Sequence, residues 1–245
     1  MESPVYVVSD VHLGAVPETT EHAFLRFLDG IADDAASLLL PGDLFDFWFE
    51  YGTVIPGRHF RVLAALAGLA DRGTEIVMVG GNHDAWGGAF LEERVGLRFH
   101  EDAVRVELAG RPALVAHGDG VGSGDLKYRL LKGLIRSRAA ITAFRLLHPE
   151  LGIRLARAVS TTEAKADSDP AIQSRAAYIE AWARERLAEE PDLGWVVCGH
   201  AHLPAVKEVA PQRYYLNAGD WIMHRSYIRI AGDGRPELLS WDRDP

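Results

Sequence analysis

The sequence is poor in cysteine and in long apolar runs. Cys198 is the one cysteine among 245 residues, which excludes an internal disulfide and fits a reducing compartment. No apolar stretch approaches the about 18 residues of a membrane-spanning helix, and residues 1–4 lack the basic and apolar regions of a secretory signal. We therefore expect a cytoplasmic protein, with peripheral contact to a membrane left open.

Basic residues are also outnumbered. The chain has 26 Lys and Arg against 35 Asp and Glu, and this net charge of −9 argues against general affinity for nucleic acid. At 48% hydrophobic and 25% charged residues, its composition is that of a globular protein with one sizeable core. We expect one domain over residues 1–245 with an insert at about 121–190, in preference to two independent domains.

What the sequence does have is five polar clusters, each directly after an apolar run that predicts a strand. They contain Asp10 with His12, Asp43, Asn82 with His83 and Asp84, His117, and His200 with His202. Residues two apart in an extended segment point to the same side, so paired residues within one cluster can converge. Because α/β sheets place their sites at the carboxyl ends of strands, we expect the five clusters to meet.

The spacing of the apolar residues predicts a mixed α/β (α+β) fold. Helices are predicted at about 20–34, 58–72 and 171–189, and the insert is also helical in this interpretation. Strands are predicted at 5–8, 37–40, 76–79, 103–108, 112–116 and 195–198, followed by short strands at 206–209, 214–216, 227–230 and 237–241. Ala109-Gly110 predicts a tight turn between the fourth and fifth strands.

Two segments have more than one interpretation. Residues 44–51 include five aromatic rings, which form either core packing or an apolar wall beside the site. Residues 126–159 contain eight bases and one acid, a local charge of +7, with leucine and isoleucine at helical spacing between the bases. That pattern is typical of a membrane-surface or anionic-ligand element. The alternative is a packed helix pair with solvated bases, and the shortage of nearby acids favours the functional interpretation.

The residue types in the five clusters restrict the chemistry. Imidazole, carboxylate and amide ligands without a thiolate suit Mn²⁺, iron or zinc, and argue against a sulfur-bound structural zinc. Two ions about 3.5–4 Å apart need a bridging carboxylate, for which Asp43 is the natural candidate. Such a pair holds an attacking hydroxide and a phosphoryl oxygen, so we expect hydrolysis of a phosphoester.

Taken in order, the clusters resemble the signature of the calcineurin-like metallophosphoesterases. The matching blocks are Asp10-Val-His12, Gly42-Asp43, Gly81-Asn82-His83-Asp84, His117 and Gly199-His200-Ala-His202. The resemblance implies a double β-sandwich flanked by helices and a dinuclear metal centre. It implies that Asp10, His12 and His202 hold one ion and that Asn82, His117 and His200 hold the other. In this family pattern Asp43 bridges the ions, and His83 and Asp84 are the expected catalytic residues.

Further motifs resemble the family of hydrolases that cleave UDP-2,3-diacylglucosamine. They include Gly42-Asp-Leu-Phe-Asp-Phe-Trp48, His117-Gly-Asp119 and Gly219-Asp220-Trp221. The resemblance implies Mn²⁺-dependent cleavage of a pyrophosphate to UMP and 2,3-diacylglucosamine 1-phosphate, a step of lipid A biosynthesis at the inner face of the cytoplasmic membrane. It also implies that the helical insert caps the site and receives the acyl chains. The implied substrate contacts are Asn82, His83, Asp125, Tyr128, Arg157 and Ser160.

Two positions depart from the best-known form of that family, which carries arginine in place of His83 and a basic residue in place of Leu203. A phosphomonoester leaving group, with a second pKa of about 6, needs little proton donation. An alkoxide leaving group needs a general acid, such as His83 held by Asp84 or Asp43. The alternative is therefore a related phosphodiesterase or nucleotide pyrophosphatase acting on a non-lipid substrate. A protein-interaction scaffold without catalysis is a second and less favoured alternative.

Overall fold

The apolar runs form the centres of two mixed sheets. The computed structural model describes residues 4–122, 126–159, 162, 166–232 and 234–241, without the side chains of residues 126–129, 157 and 159. The strands of these residues are β1 (Val5–Val7), β2 (Ser37–Leu40), β3 (Glu75–Val79), β4 (Arg98–His100), β5 (Val104–Leu108), β6 (Arg111–Ala116), β7 (Trp195–Cys198), β8 (Ala205–Ala210), β9 (Arg213–Asn217), β10 (Ser226–Ile230) and β11 (Pro236–Ser240).

The first sheet has the strand order β11-β10-β1-β2-β3-β4, and the second has the order β5-β6-β7-β9-β8. Strands β1 to β4 are mutually parallel, as are β6, β7 and β9, whereas the outer strands β5, β8 and β11 and strand β10 pair antiparallel. The parallel strands of each sheet therefore end at one edge, and the polar clusters follow them there.

Successive side chains of β2 point to opposite faces of the sheet, and both faces are buried. Leu39 belongs to the core between the two sheets, together with Val77 of the first sheet and Val197 of the second. Leu38 and Leu40 point the other way, into the core beneath the helices that cover the first sheet. A strand that is buried on both faces needs apolar residues at every position. The expected double β-sandwich flanked by helices is thus confirmed.

The helices are α1 (Glu18–Gly30), α2 (Phe60–Asp71), α3 (Leu126–Ile135), α4 (Arg138–Arg145), α5 (Pro149–Val159) and α6 (Pro170–Glu189), with a 3₁₀ turn at Gly57–His59 and a π turn at Leu91–Val95. Helices α1 and α2 cover the first sheet, and α6 covers the second through Ile179 and Ala183. Asp169 caps α6 by accepting a hydrogen bond from the Ala171 N–H, and Pro170 occupies its first turn.

The predicted elements agree with the structure except at short segments. Ala109 and Gly110 both have positive φ, as the predicted tight turn between β5 and β6 requires. Strand β4 and the π turn were not predicted, because three strand residues and one turn contain too little periodicity to detect. Helices α3 to α6 occupy the chain between β6 and β7, where the insert was expected.

Candidate metal centre

Left-handed backbone conformations bring the clusters together at the strand ends. Asp10, His12, Asp43, His200 and His202 all have φ between +51° and +63°. The expectation that paired residues converge by strand alternation is wrong in detail, because β1 ends at Val7 and β7 ends at Cys198. Each left-handed residue other than glycine costs about 1–2 kcal/mol. Such strain concentrates where function requires one particular side-chain direction.

Three groups of side chains each have ligand atoms within 4.8 Å of one another: Asp10 with His12 and His202, His12 with Asp43 and His83, and Asp43 with His117 and His200. Asp43 is shared by the second and third groups. Asn82 joins the third group, since its Oδ1 lies 3.2 Å from Nε2 of His117. The arrangement brings the predicted ligands of both ions together, and their assignment to metal stays a prediction.

Two glycines make this close approach possible. A Cβ at Gly42 would overlap the His117 ring, and a Cβ at Gly81 would overlap the Asp43 carboxylate. Gly42 also has a φ of +90°. Gly42 precedes Asp43 and Gly81 precedes Asn82, and at both positions a side chain would occupy the space of another predicted ligand.

Hydrogen bonds at the outer ring nitrogens orient two of the histidines. Nδ1 of His117 donates to the Pro41 carbonyl oxygen at 2.9 Å, which leaves Nε2 facing an Asp43 carboxylate oxygen at 3.3 Å. Nδ1 of His202 donates to Asp220 at 3.0 Å, while its Nε2 faces Asp10 at 3.6 Å. In both rings Nε2 is directed inward, as a metal ligand requires.

The charges of the centre shift the pKa values of its members strongly. Burial raises the pKa of Asp10 to about 6 and lowers that of His12 to about 3. Burial alone would lower the pKa of His117, but the Asp43 carboxylate raises it to about 10. In turn His117, with His83 and His12, holds the pKa of Asp43 well below its usual range against the effect of burial.

A divalent cation fits this set of donors. In the part of the chain that the structure describes, Nε2 of His12 is buried and has no hydrogen-bond partner. It faces carboxylate oxygens of Asp10 at 4.0 Å and Asp43 at 3.8 Å. A buried ring nitrogen without a partner is costly unless a ligand satisfies it. The surrounding nitrogen and oxygen donors include no sulfur, which suits a catalytic rather than a sulfur-bound structural ion.

Asp84 organises the main chain around the centre. Its buried carboxylate accepts hydrogen bonds from the backbone N–H groups of Gly81 at 2.8 Å, Asp43 at 3.2 Å and Phe45 at 3.2 Å. It thereby joins the turns after β2 and β3. Burial raises the pKa of Asp84 to about 6, with the neighbouring Asp43 adding to the shift.

His83 is held by a residue that the sequence did not indicate. Its Nδ1 lies 2.8 Å from the carbonyl oxygen of Asp46 and 3.8 Å from the Asp46 carboxylate. We expected Asp84 or Asp43 to hold His83. The Asp84 oxygens instead accept hydrogen bonds from backbone donors, and Asp43 accepts the backbone N–H of His83 at 2.9 Å, while the ring itself contacts Asp46. The ring meets His12 edge-on, with 4.8 Å between the centroids.

Thr162 is a second contact that the sequence did not indicate. Its hydroxyl donates to the Asp46 carboxylate at 2.7 Å and lies 3.2 Å from Nδ1 of His12. It belongs to the chain after α5, 116 residues from Asp46 and 150 residues from His12 in sequence. Of the expected substrate contacts in the insert, Asp125 and Ser160 lie outside the described residues, as do the side chains of Tyr128 and Arg157.

The aromatic run divides between the two interpretations. Phe45 and Trp48 are buried in the main core, with 4.6 Å between their ring centroids. Phe47 and Phe49 instead line an apolar cavity of about 260 Å³, together with Trp86 and Phe144. The same cavity is bounded by Asn82 and His83, so it opens directly beside the metal centre.

Bases of the insert find their partners in the main body. Lys132 pairs with the buried Asp119 at 2.9 Å, and Arg136 pairs with Asp102 at 3.2 Å. Arg136 also donates to the Gly81 carbonyl oxygen at 3.1 Å, in the turn that carries Asn82. The local shortage of acids was therefore misleading for these two bases, because acids distant in sequence replace the missing neighbours.

The profile of the family described as calcineurin-like phosphoesterase matches residues 3–204. The chain belongs to the calcineurin-like phosphoesterase family. It is therefore a metal-dependent hydrolase, and the donors described above are its candidate ligands for divalent metal. The match includes all five polar clusters.

Curated relatives extend the likeness over nearly the whole chain. A UDP-2,3-diacylglucosamine hydrolase of Porphyromonas gingivalis is 31% identical to this chain. The alignment covers 93% of this chain and 94% of the relative. The protein of the same name from Aromatoleum aromaticum is 32% identical, over 95% of each chain. Among solved structures, a dimetal phosphatase from Danio rerio superposes with a TM-score of 0.48 at 9% identity, covering 98% of this chain and 99% of that chain.

Proposed function

We propose that this chain hydrolyses the pyrophosphate of UDP-2,3-diacylglucosamine, giving UMP and 2,3-diacylglucosamine 1-phosphate for lipid A biosynthesis, with Mn²⁺ as its metal. The observation that carries the proposal is the apolar cavity that opens beside Asn82 and His83. A diacylated UDP-sugar has a polyanionic pyrophosphate next to acyl chains, and this site has a cation-binding centre next to an apolar wall. The name shared by the curated relatives supports the same substrate.

The walls of the cavity come from both the main body and the insert. Phe47 and Phe49 belong to the loop after β2, whereas Ile141 and Phe144 of α4 and Leu155 of α5 belong to the insert. Rings of the two parts are in contact, since Phe49 and Phe144 have centroids 4.7 Å apart. On this proposal the molecule is one domain, and the insert at about 121–190 is a cap that completes the acyl site.

The outer surface of the insert supports peripheral contact with the inner face of the cytoplasmic membrane. Among the described residues, eight of the thirteen exposed large apolar side chains lie between positions 130 and 155. The exposed base Arg154 lies on α5 with Leu151 and Leu155, and the exposed Arg138 begins α4, directly after the leucines of α3. A helix surface with exposed leucine and arginine suits the boundary of an anionic lipid layer. No helix in the described part of the chain is both long and apolar enough to cross a membrane.

The proposed roles in catalysis follow from the positions of the side chains. Asp10, His12 and His202 would hold one ion, Asn82, His117 and His200 would hold the second, and Asp43 would bridge them. When bound, such ions supply Lewis acidity and an activated water as the nucleophile. Asp84 keeps the turns that carry Asp43 and Asn82 in register through its bonds to their main chain.

His83 has two possible uses in this reaction, and they differ between substrates. It lies between the metal centre and the apolar cavity, supported through Nδ1 by Asp46. On a pyrophosphate it would stabilise charge that develops on the phosphoryl group. On a diester it would protonate the alkoxide leaving group. The second use favours the alternative function, a phosphodiesterase or nucleotide pyrophosphatase with a non-lipid substrate.

Turnover of three substrates by the purified protein with Mn²⁺ tests the proposal. We expect efficient release of UMP from UDP-2,3-diacylglucosamine, and little reaction with UDP-glucose or a chromogenic phosphodiester, because only the first substrate fills both regions of the site. Activity confined to the two small esters would refute the lipid substrate and support the alternative. Replacing Mn²⁺ by Mg²⁺ or Zn²⁺ at equal concentration tests the choice of metal in the same assay.

A further inference from the structure

The loop Gly219-Asp220-Trp221 lies directly behind His202. The buried Asp220 carboxylate accepts the Nδ1–H of His202 through one oxygen at 3.0 Å. Its other oxygen accepts three donors: the backbone N–H of Met223 at 2.8 Å, the backbone N–H of His224 at 3.2 Å and Nδ1–H of His224 at 3.1 Å. The three donors on this second oxygen fix the orientation of the carboxylate, and with it the position of the oxygen that faces His202.

His224 connects this carboxylate to a second one. Its Nδ1 faces Asp220, and its Nε2 faces an Asp167 carboxylate oxygen at 2.9 Å. A carboxylate only accepts hydrogen bonds, so both ring nitrogens donate when both bonds form, and the imidazole then carries a positive charge. Asp220, followed by Asp167, raises the pKa of His224 to about 9, which agrees with this geometry.

Trp221 anchors the loop to the turn that carries Asp10. Its backbone N–H donates to the Asp10 carbonyl oxygen at 3.1 Å. Its buried indole contacts Phe24 and Phe27 edge-on, with centroids 5.0 and 5.4 Å away. Because the next residue is fixed in the core, Asp220 cannot follow a rotation of the His202 ring.

At its other end the connection reaches the chain that returns from the insert. Asp167 precedes α6, and its carbonyl oxygen accepts a hydrogen bond from the Gln173 side chain at 2.8 Å. Its carboxylate is 56% exposed, so its bond to His224 is weaker than the buried bonds around Asp220. The series Asp167, His224, Asp220 and His202 therefore runs from the surface into the metal centre.

We propose that Asp220 and His224 are positioning residues for His202: they fix its ring orientation and keep its proton on Nδ1, so that Nε2 is available to a metal ion. The inference rests on the proposed role of His202 as a ligand and extends it to residues that do not touch the ion. Carboxylates that orient metal-binding histidines in this way typically affect metal affinity 10- to 100-fold.

The substitution Asp220→Asn tests the tautomer directly. The amide oxygen is expected to face the three donors, which leaves the amide NH₂ group facing Nδ1 of His202. That ring would then carry its proton on Nε2, the nitrogen that should face the metal. We expect Mn²⁺ affinity, measured by calorimetry, to fall about 10- to 100-fold. Nitrogen NMR of ¹⁵N-histidine-labelled, metal-free protein should show the proton of His202 moving between the ring nitrogens. Unchanged affinity and an unchanged tautomer in the folded variant would overturn the proposal.

Two substitutions of His224 form a matched pair, and they keep the proposal testable if Asp220→Asn fails to fold. His224→Asn retains a donor near the position of Nδ1, toward Asp220, whereas His224→Gln retains a donor near the position of Nε2, toward Asp167. We expect His224→Gln to lose more Mn²⁺ affinity, about 10-fold, than His224→Asn. Equal affinities for the two variants would contradict the role of the bond to Asp220.

His202→Ala separates this inference from the ligand assignment beneath it. A large loss of Mn²⁺ affinity in His202→Ala, with unaltered affinity in Asp220→Asn, would refute the positioning role alone. Unaltered affinity in His202→Ala would show that His202 is not a ligand and would refute both.

Discussion

Folded proteins usually bury apolar side chains and expose charged ones. The metal centre and the outer face of the insert depart from this rule in opposite directions. At the centre, titratable side chains are buried: Asp10, His12, Asp43 and His117 are each at most 2% exposed. On the insert, apolar side chains are exposed: Leu130, Leu134 and Leu146 are 67%, 65% and 85% accessible. Each arrangement destabilises an isolated molecule, the first by desolvating charge and the second by hydrating hydrocarbon.

The difference indicates what each region is suited to bind. Buried carboxylates lie beside a buried ring nitrogen that has no hydrogen-bond partner among the described residues, which suits the binding of a cation, and five left-handed residues hold this arrangement. Exposed leucines near exposed arginines suit the boundary between an apolar phase and an anionic one, which is the membrane contact proposed above. The apolar cavity lies between the two regions, bounded by His83 on one side and α4 and α5 on the other. A ligand with charged and acyl parts would occupy the metal centre and this cavity at once, and the outer face would be left for a membrane, as proposed above.

Removing the shared carboxylate should have the largest effect. Asp43→Ala takes away the carboxylate that two of the ligand groups share, so we expect activity on every substrate to fall by more than about 100-fold, the upper range for residues that only orient ligands. Asp34→Ala is the matched control, since Asp34 accepts a bond from Tyr6 outside the centre. Steady-state turnover with Mn²⁺ measures both variants. Substantial activity in folded Asp43→Ala protein would refute the bridging role.

The substitution His83→Arg tests whether His83, which lies between the metal centre and the cavity, protonates the leaving group. Loss of a general acid costs about 10²- to 10⁴-fold where the leaving group is an alkoxide, so we expect turnover of a chromogenic phosphodiester to fall about 100-fold. Pyrophosphate cleavage should change little, because its leaving group needs no proton and arginine can stabilise developing charge.

Comparing kcat for the two substrates in His83→Arg and in the parent protein gives the result. A larger loss on the pyrophosphate than on the diester would show that His83 does not protonate the leaving group. Thermal unfolding of the variant checks that the contact between residue 83 and Asp46 is not needed for folding.

The five clusters could be predicted from sequence because each follows a recognisable apolar strand. Parallel strands then bring their ends to one edge, whatever the details of the loops. The left-handed conformation of Asp10 and His12 could not be predicted, since neither residue type nor spacing signals it. Strands β2 and β7 are covered by helices on one face and by the other sheet on the opposite face. This burial on both faces explains the continuous apolar runs of these strands.

Contacts between distant parts of the chain were the least predictable. Asp46 supports His83, and Thr162 contacts both Asp46 and His12, but only the folded chain makes these residues neighbours. The same limit explains the error over the insert's bases. Counting acids near Lys132 and Arg136 missed Asp119 and Asp102, which belong to the main body.

The smallest effect on the folded protein is expected at the exposed leucines of the insert. Leu134→Ser with Leu146→Ser removes two exposed leucines from the insert face, so thermal stability should change by less than about 0.5 kcal/mol per site. Each leucine contributes about 1.5 kcal/mol or more when it becomes buried, so the double variant should bind anionic phospholipid vesicles about 100-fold more weakly. Vesicle sedimentation measures this loss.

The control Leu238→Ser removes an exposed leucine from β11, at the far edge of the first sheet. It should leave vesicle binding unchanged. Turnover of the chromogenic phosphodiester should be unaffected in both variants, because neither touches the metal centre. Equal vesicle binding by the insert variant and the control would mean that the exposed leucines do not meet a membrane, and the insert face would then need another apolar partner to explain its exposure.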